Sequence, residues 1–149
     1  MRLALAVLMF SNAGLFFFGA LQHAGISIGR FHEPYILPAA IVESVCGVAL
    51  AWGGAAVLAG WQGWGMALVG NLVALGGVLL GKAALAAGRG PRTASNDFYH
   101  NIMLVLIGIS ISLLVASPVR RRSRDGARVS RRHCPWTEST HEPHLGSET

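Results

Sequence analysis

Hydrophobic and polar positions in this chain are segregated over long distances. Four apolar stretches, separated by short polar segments, fill more than half of the sequence, at residues 3–21, 36–59, 64–87 and 98–117. Each has the length that a helix needs to cross about 30 Å of hydrocarbon, roughly 20 residues at about 1.5 Å per residue. None shows the alternation of a transmembrane barrel strand. The pattern therefore predicts four membrane-spanning helices, because in lipid only helices and closed barrels satisfy every backbone polar group.

Composition supports the same class of protein. The chain is 52% hydrophobic and 13% charged, about half the charged fraction of a typical soluble domain. We therefore expect an all-α integral membrane bundle over residues 1–118, with its surface against the lipid bilayer. The sequence contains none of the short motifs of P-loop enzymes, serine hydrolases, zinc proteases or dithiol oxidoreductases. On this ground the chain is not expected to be an enzyme by itself.

The positive charges are distributed unevenly along the chain. Seven arginines lie in residues 119–149, and three of them directly follow the fourth stretch. With both termini inside, the inner segments hold eight Lys or Arg residues and the outer segments four. This bias predicts an N-in and C-in orientation in a bacterial cytoplasmic (inner) membrane. The arginines could also contact anionic lipid, whereas their placement argues against nucleic acid as a partner.

Residues 119–149 differ in character from the rest of the chain. They are rich in Arg, Ser, Pro and Glu, and this composition predicts a disordered basic cytoplasmic tail. The histidines and the cysteine of this tail do not have zinc-finger spacing. A disulfide between Cys46 and Cys134 is not expected, because the topology puts the two residues in different environments.

The first stretch could instead be a cleaved signal peptide. Arg2 supplies a short positive segment, but the apolar run is longer than a typical signal peptide needs. Phe18 also stands where a signal peptidase site requires a small residue. A retained first helix is therefore the favoured interpretation.

Small residues recur at helical spacing and predict faces for close packing. Within these faces we expect Gly47, Gly70, Gly77 and Gly81 to be packing residues; dimerisation through the third helix is the alternative. The predicted faces are Ala40, Glu43, Gly47, Ala51 and Gly54 in the second stretch; Gly70, Ala74, Gly77, Gly81, Ala84 and Gly88 in the third; and Asn101, Val105, Gly108 and Ser112 in the fourth.

Glu43 is the most informative polar residue of the apolar stretches. It lies on the small-residue face of the second helix, roughly 10 Å below the outer boundary by helical rise. An ionisable group at this depth is costly and marks a functional site by default. Lys82 lies about 8 Å deep on the third helix, so an ion pair between the two residues is feasible. Such a pair could lock the bundle, Lys82 could snorkel while Glu43 stays protonated, or Glu43 could contact a ligand.

Other polar residues are predicted to lie on the same side of the membrane. His100 follows the start of the fourth helix, and Asn12 and His23 share one face of the first. His32, Glu33 and Asp97 would form an outer rim. The histidines lack a recognised metal-ligand spacing, so no metal is expected. Two further expectations are that Asp97 or Asn96 caps the fourth helix and that Asn71 makes an interhelical hydrogen bond.

The layout resembles the DoxX-like group of small four-helix bacterial membrane proteins over residues 3–117. The resemblance rests on Gly19-Ala20-Leu21-Gln22-His23 at the end of the first helix and on Pro38, Glu43 and Gly47 in the second. His23 stands where that group usually carries a charged residue. The resemblance implies association with membrane oxidoreductase complexes and with quinone-linked sulfur or thiol redox chemistry, and it makes Glu43 the central polar residue.

Three functional hypotheses follow from the sequence. The first is an accessory or redox-linked subunit of a membrane complex that contacts quinone, with Glu43 and His100 as proton or headgroup contacts. The second is a non-catalytic scaffold or assembly protein that docks a membrane protein partner, or a second copy, on its small-residue faces. The third is a small transporter or metal-binding membrane protein. The sequence names no substrate for any of them.

Overall fold

The four predicted helices are confirmed by the computed structural model, which describes residues 1–27, 34–60, 63–90 and 93–116. The helices are α1 (Arg2–His23), α2 (Leu37–Ala59), α3 (Gly63–Ala86) and α4 (Ala94–Ala116). Each is long and apolar enough to cross a membrane, and the described residues form no strand. The chain is thus a multi-pass, all-helical membrane protein. The predicted tail, residues 119–149, lies outside the described residues.

The helix ends follow local sequence signals. Pro38 lies in the first turn of α2, where its missing N–H costs no hydrogen bond. Gly60 ends the same helix with φ of 74°, a left-handed conformation that glycine adopts without steric penalty. The Ile36 N–H donates to the His23 carbonyl oxygen at 2.9 Å. This bond holds the end of α1 against the start of α2.

The start of α4 differs from the prediction. The helix begins at Ala94, four residues before the apolar stretch, because Thr93 rather than Asp97 or Asn96 provides the cap. The Asn96 N–H donates to Thr93 Oγ1 at 3.1 Å, the bond that an N-cap side chain makes to the third helical residue. The expected capping role of Asp97 and Asn96 is therefore wrong, and both residues lie inside the first turn.

The helices run up and down in chain order, and α1 closes the bundle against α4. The α1–α2 and α2–α3 contacts are the most extensive, whereas α4 packs more lightly on its two neighbours. Large hydrophobic side chains also cover the outside; Leu3, Trp52 and Val105 are more than 60% exposed, as a lipid-facing surface requires. The larger side chains of the core include Leu5, Met9, Phe16, Leu50, Val78, Met103 and Ile107.

Glycines allow α2 and α3 to approach closely. A Cβ added at Gly70 would lie 2.5 Å from the Ala49 carbonyl oxygen, and one added at Gly63 would lie 2.5 Å from the Ala56 carbonyl oxygen. These distances are shorter than any van der Waals contact, so the two backbones can meet only where no side chain intervenes.

The small-residue face predicted for α4 does not pack within the bundle. Asn101, Val105, Gly108 and Ser112 are all exposed, and a Cβ at Gly108 would find no atom within 4 Å. The opposite side of α4 is buried instead, through Met103, Ile107 and Leu114 among others. Larger apolar side chains fill the space against α1 and α3, where α4 packs more lightly than α2 packs on α3.

Candidate functional site

Polar side chains converge at one end of the bundle, which we call the upper end: the end of α1, the start of α2, the end of α3 and the start of α4. Glu43 lies six residues into α2, about 9 Å below this end by helical rise. Its side chain is 9% exposed, and its Oε1 lies 3.8 Å from His23 Nε2. The second carboxyl oxygen, Oε2, is buried with no hydrogen-bond partner among the described residues. The site therefore contains a carboxyl group with one oxygen close to an imidazole and the other without a hydrogen bond among the described residues.

Gly19 makes room for this carboxyl group. A Cβ added at Gly19 would lie 2.8 Å from Glu43 Oε1 and 2.9 Å from the Tyr99 hydroxyl. The Tyr99 hydroxyl thus lies at the same point of the bundle, 3.4 Å from the Leu15 carbonyl oxygen and interacting with the Glu43 carboxyl. Any residue larger than glycine at position 19 would displace one of these two groups.

His100 is fixed in a similar way by its own helix and by a glycine of α3. Its Nδ1 lies 2.8 Å from the Asn96 carbonyl oxygen. A carbonyl oxygen only accepts hydrogen bonds, so Nδ1 carries the proton and Nε2 of the neutral ring presents a lone pair. Nε2 points towards Gly81, where an added Cβ would lie 2.5 Å away. The absence of a side chain at position 81 therefore leaves the space that the imidazole occupies.

Two cavities meet at Glu43. The aromatic cavity, of about 270 Å³, lies between α1 and α4 and includes Phe18, Phe98 and Tyr99 in its wall. The imidazole cavity, of about 360 Å³, lies mainly between α2, α3 and α4 and includes His100 and Arg89. His23, Glu43 and Asn96 line both cavities. These three residues form a polar wall between two otherwise largely apolar spaces.

The Glu43–Lys82 ion pair that the sequence makes feasible does not form in the described part of the chain. Lys82 Nζ donates instead to Asn101 Oδ1 at 2.8 Å, while Glu43 lies against His23. The two residues face different directions: Glu43 faces α1, and Lys82 faces the exposed side of α4. Lys82 lines neither cavity.

Asn12 does not reach the upper site. It is fully buried, eleven residues before His23 and hence about 16 Å below it by helical rise. Its Nδ2 donates to Ser110 Oγ at 3.4 Å, which links α1 to α4. Asn71 is also fully buried, but its Nδ2 donates to the Ala67 carbonyl oxygen of its own helix at 2.8 Å. Among the described residues Asn71 therefore lacks the predicted interhelical hydrogen bond, and a bond between helices is found at Asn12 instead.

The remaining predicted residues are divided between the packing surfaces and the rim. An added Cβ would lie 3.0 Å from the Phe17 ring at Gly47 and 3.3 Å from Val42 at Gly77, where it would also meet the Cys46 sulfur. Asp97 is exposed and lines neither cavity. His32 and Glu33 lie outside the described residues.

Sequence reasoning did not assign Gly19, Tyr99 and Asn96 to the site. Gly19 precedes His23 by four residues, so it shares the face of α1 that carries the imidazole. Asn96 precedes His100 by the same spacing on α4. These spacings are visible in the sequence, but they become informative only once His23 and His100 are known to face the interior.

No described group of three or more His, Cys, Asp or Glu side chains is placed to hold a metal ion. Comparison with known proteins adds no relative: no family model, curated protein or solved structure matches this chain significantly. The functional argument therefore depends on the site itself.

Proposed function

We propose that this protein is a redox-linked subunit of a membrane complex and that its upper site contacts the headgroup of a membrane-soluble quinone. The observation that carries the proposal is the polar wall of His23, Glu43 and Asn96, which line both cavities at the upper end of the bundle. A buried carboxyl group with an unsatisfied oxygen is costly in this environment unless a ligand or water completes its hydrogen bonding.

The size and lining of the cavities suit this class of ligand. The imidazole cavity, at about 360 Å³, falls within the range of small-molecule sites, which are mostly apolar with a few convergent polar groups. A quinone headgroup matches that pattern, because it is a flat apolar ring with two polar oxygen functions. The resemblance to the DoxX-like group points to the same ligand class.

Purification in mild detergent, followed by solvent extraction and mass spectrometry, tests the proposal. We expect the wild-type protein to retain a quinone and to bind an added short-chain benzoquinone or benzohydroquinone. Glu43→Leu removes the carboxyl group from the wall and should lower retention at least about tenfold. Asp97→Leu is the matched control, because Asp97 is exposed and outside both cavities. Failure of the wild-type protein to bind either form of the headgroup would overturn the proposal.

The proposal takes the orientation that the arginines predict, with the upper end facing away from the cytoplasm in a bacterial inner membrane. A reporter enzyme fused after Arg132 should then be active only if it is of the cytoplasmic type. Activity of a periplasmic reporter at this position would reverse the orientation.

A scaffold role is the second candidate, and the exposed small-residue face of α4 favours it. Gly108 has open space around it, so Gly108→Leu should be tolerated by the isolated bundle but should block a partner helix docked there. A scaffold would lose its partner in Gly108→Leu and keep it in Glu43→Gln. The opposite result would favour the quinone-linked role.

A further inference from the structure

The aromatic cavity is open at the side of the bundle. Three apolar residues of its wall are Leu15 on α1 and Phe98 and Ile102 on α4. All three are also exposed on the outer surface, Phe98 by 68% and the other two by 37% each. Because these side chains belong both to the cavity wall and to the outer surface, the cavity opens between α1 and α4.

The packing of these two helices explains the opening. The contact between α1 and α4 is the lightest of the four contacts between neighbouring helices. The hydrogen bonds that cross it include those from the Tyr99 hydroxyl to the Leu15 carbonyl oxygen and from Asn12 Nδ2 to Ser110 Oγ, each 3.4 Å long. Both are longer than the usual range for such bonds. The two helices are therefore held together less firmly than the other neighbouring pairs.

The opening lies well below the upper end of the bundle. Leu15 precedes His23, the last residue of α1, by eight positions, and Ile102 follows Ala94, the first residue of α4, by eight. Both residues are thus about 12 Å from the upper end by helical rise. In a helix that crosses about 30 Å of hydrocarbon, a side chain at this distance from the end faces lipid acyl chains. The opening is therefore accessible to a molecule dissolved in the lipid.

The imidazole cavity opens elsewhere. Its exposed wall residues include Pro38, in the first turn of α2, and Arg89, just beyond the end of α3. Both lie at the upper end itself, and a charged residue such as Arg89 is excluded from hydrocarbon. Leu80 is an exposed apolar residue farther from this end. The aromatic cavity is therefore the better route for an apolar chain.

From this arrangement we propose that the ligand enters the site from the lipid, between α1 and α4, and that its alkyl or prenyl tail stays in the opening between Leu15 and Ile102. Its headgroup then meets the wall of His23, Glu43 and Asn96, which lines the same cavity. Lipid is as apolar as the opening, so the tail gains little affinity there, and the opening acts through its shape. This inference rests on the proposed function and specifies the route and the orientation of the ligand.

Photolabelling of the full chain in mild detergent tests the orientation. The probe is a benzoquinone with a diazirine near the start of its alkyl tail, and the labelled peptides are identified by mass spectrometry after irradiation. We expect label at Leu15, Phe98 and Ile102, and excess unlabelled benzoquinone should suppress it. Suppressible label at Leu80, or none on the protein, would refute the tail position while the tail-less benzoquinone still binds. Failure of the tail-less benzoquinone to bind would refute the proposed function as well.

A variant tests whether the opening selects by shape. Ile102→Trp narrows the opening, so the affinity for a long-chain alkyl benzoquinone should fall at least about tenfold more than the affinity for the tail-less ring. Ile109→Trp is the matched control, because Ile109 is 46% exposed on the same face of α4 and lines neither cavity. It should keep the wild-type ratio of the two affinities. An equal loss for both probes in Ile102→Trp, or none, would overturn the tail position. If Ile102→Trp does not fold, photolabelling of the wild-type protein still decides.

Discussion

The bundle uses glycine in two different ways. Along α2 and α3, Gly63 and Gly70 face backbone atoms of the neighbouring helix, so their missing side chains set the distance between two rigid elements. At the upper end, Gly19 and Gly81 face the tips of Glu43, Tyr99 and His100. Their missing side chains leave space for polar groups. The same residue type therefore fixes the fold in one region and shapes the site in the other.

The difference between the two regions has an energetic consequence. A backbone atom cannot move aside without shifting a helix, whereas the end of a side chain can rotate away. Substitution in the first region should therefore act mainly on stability, and substitution at the upper end mainly on ligand binding. The glycines that have no neighbours provide controls for both effects.

Gly70→Ala should give the largest effect on stability. The new Cβ would meet the Ala49 carbonyl oxygen, and overpacking of this kind costs typically about 1–3 kcal/mol. Gly76→Ala is the matched control on the same helix, because a Cβ there would find no atom within 4 Å. Unfolding in mild detergent, followed by circular dichroism, measures both. Equal stability of the two variants would contradict the close approach of α2 and α3.

Gly81→Ala and Gly19→Ala should act mainly on the ligand. The added methyl group displaces the His100 imidazole in the first variant and the Glu43 carboxyl group or the Tyr99 hydroxyl in the second. We expect at least about tenfold weaker binding of the short-chain benzoquinone or benzohydroquinone, with a smaller loss in the free energy of unfolding than in Gly70→Ala. Gly14→Ala, which has open space on α1, should match wild type in both measurements. A large loss of stability without a change in affinity would place Gly19 and Gly81 with the packing glycines.

The smallest expected effect is the coupling between Glu43 and Lys82. Because Lys82 bonds to Asn101 and Glu43 lies against His23, Glu43→Gln and Lys82→Met should change the free energy of unfolding additively, within about 0.3–0.5 kcal/mol. Lys82→Met combined with Asn101→Ala should be non-additive, which makes this pair the positive control. A double-mutant cycle in detergent measures both couplings. Strong coupling between Glu43 and Lys82 would instead indicate that the two residues form the ion pair that the sequence makes feasible.

The sequence predicts the positions of the helices better than it predicts which side of each helix packs against its neighbours. In lipid only helices and closed barrels satisfy every backbone polar group. The apolar stretches therefore locate all four helices to within a few residues. The exception is the start of α4, where Thr93 extends the helix beyond the apolar stretch through a polar cap. Hydropathy does not detect such a cap, because the residues it adds are hydrophilic.

The site is only partly visible in the sequence for a related reason. Helical rise places Glu43 and Lys82 near the same end of the bundle, but it does not give the direction in which each side chain points around the bundle axis. That direction depends on which helices become neighbours and how far apart they lie. Glu43 could be singled out because an ionisable residue in an apolar helix is rare. Gly19 could not be assigned to the site, since its contribution is empty space that another helix fills.

Glu43 lines two cavities, and a group shared in this way can link the binding of two ligands thermodynamically. A ligand that draws Glu43 towards the imidazole cavity changes the surface that the aromatic cavity offers to a second ligand. The two occupants would then affect each other's affinity without touching, and the factor must be the same in both directions. Titrating one ligand at fixed concentrations of the other measures that factor, and a value of one would mean that the shared wall is rigid.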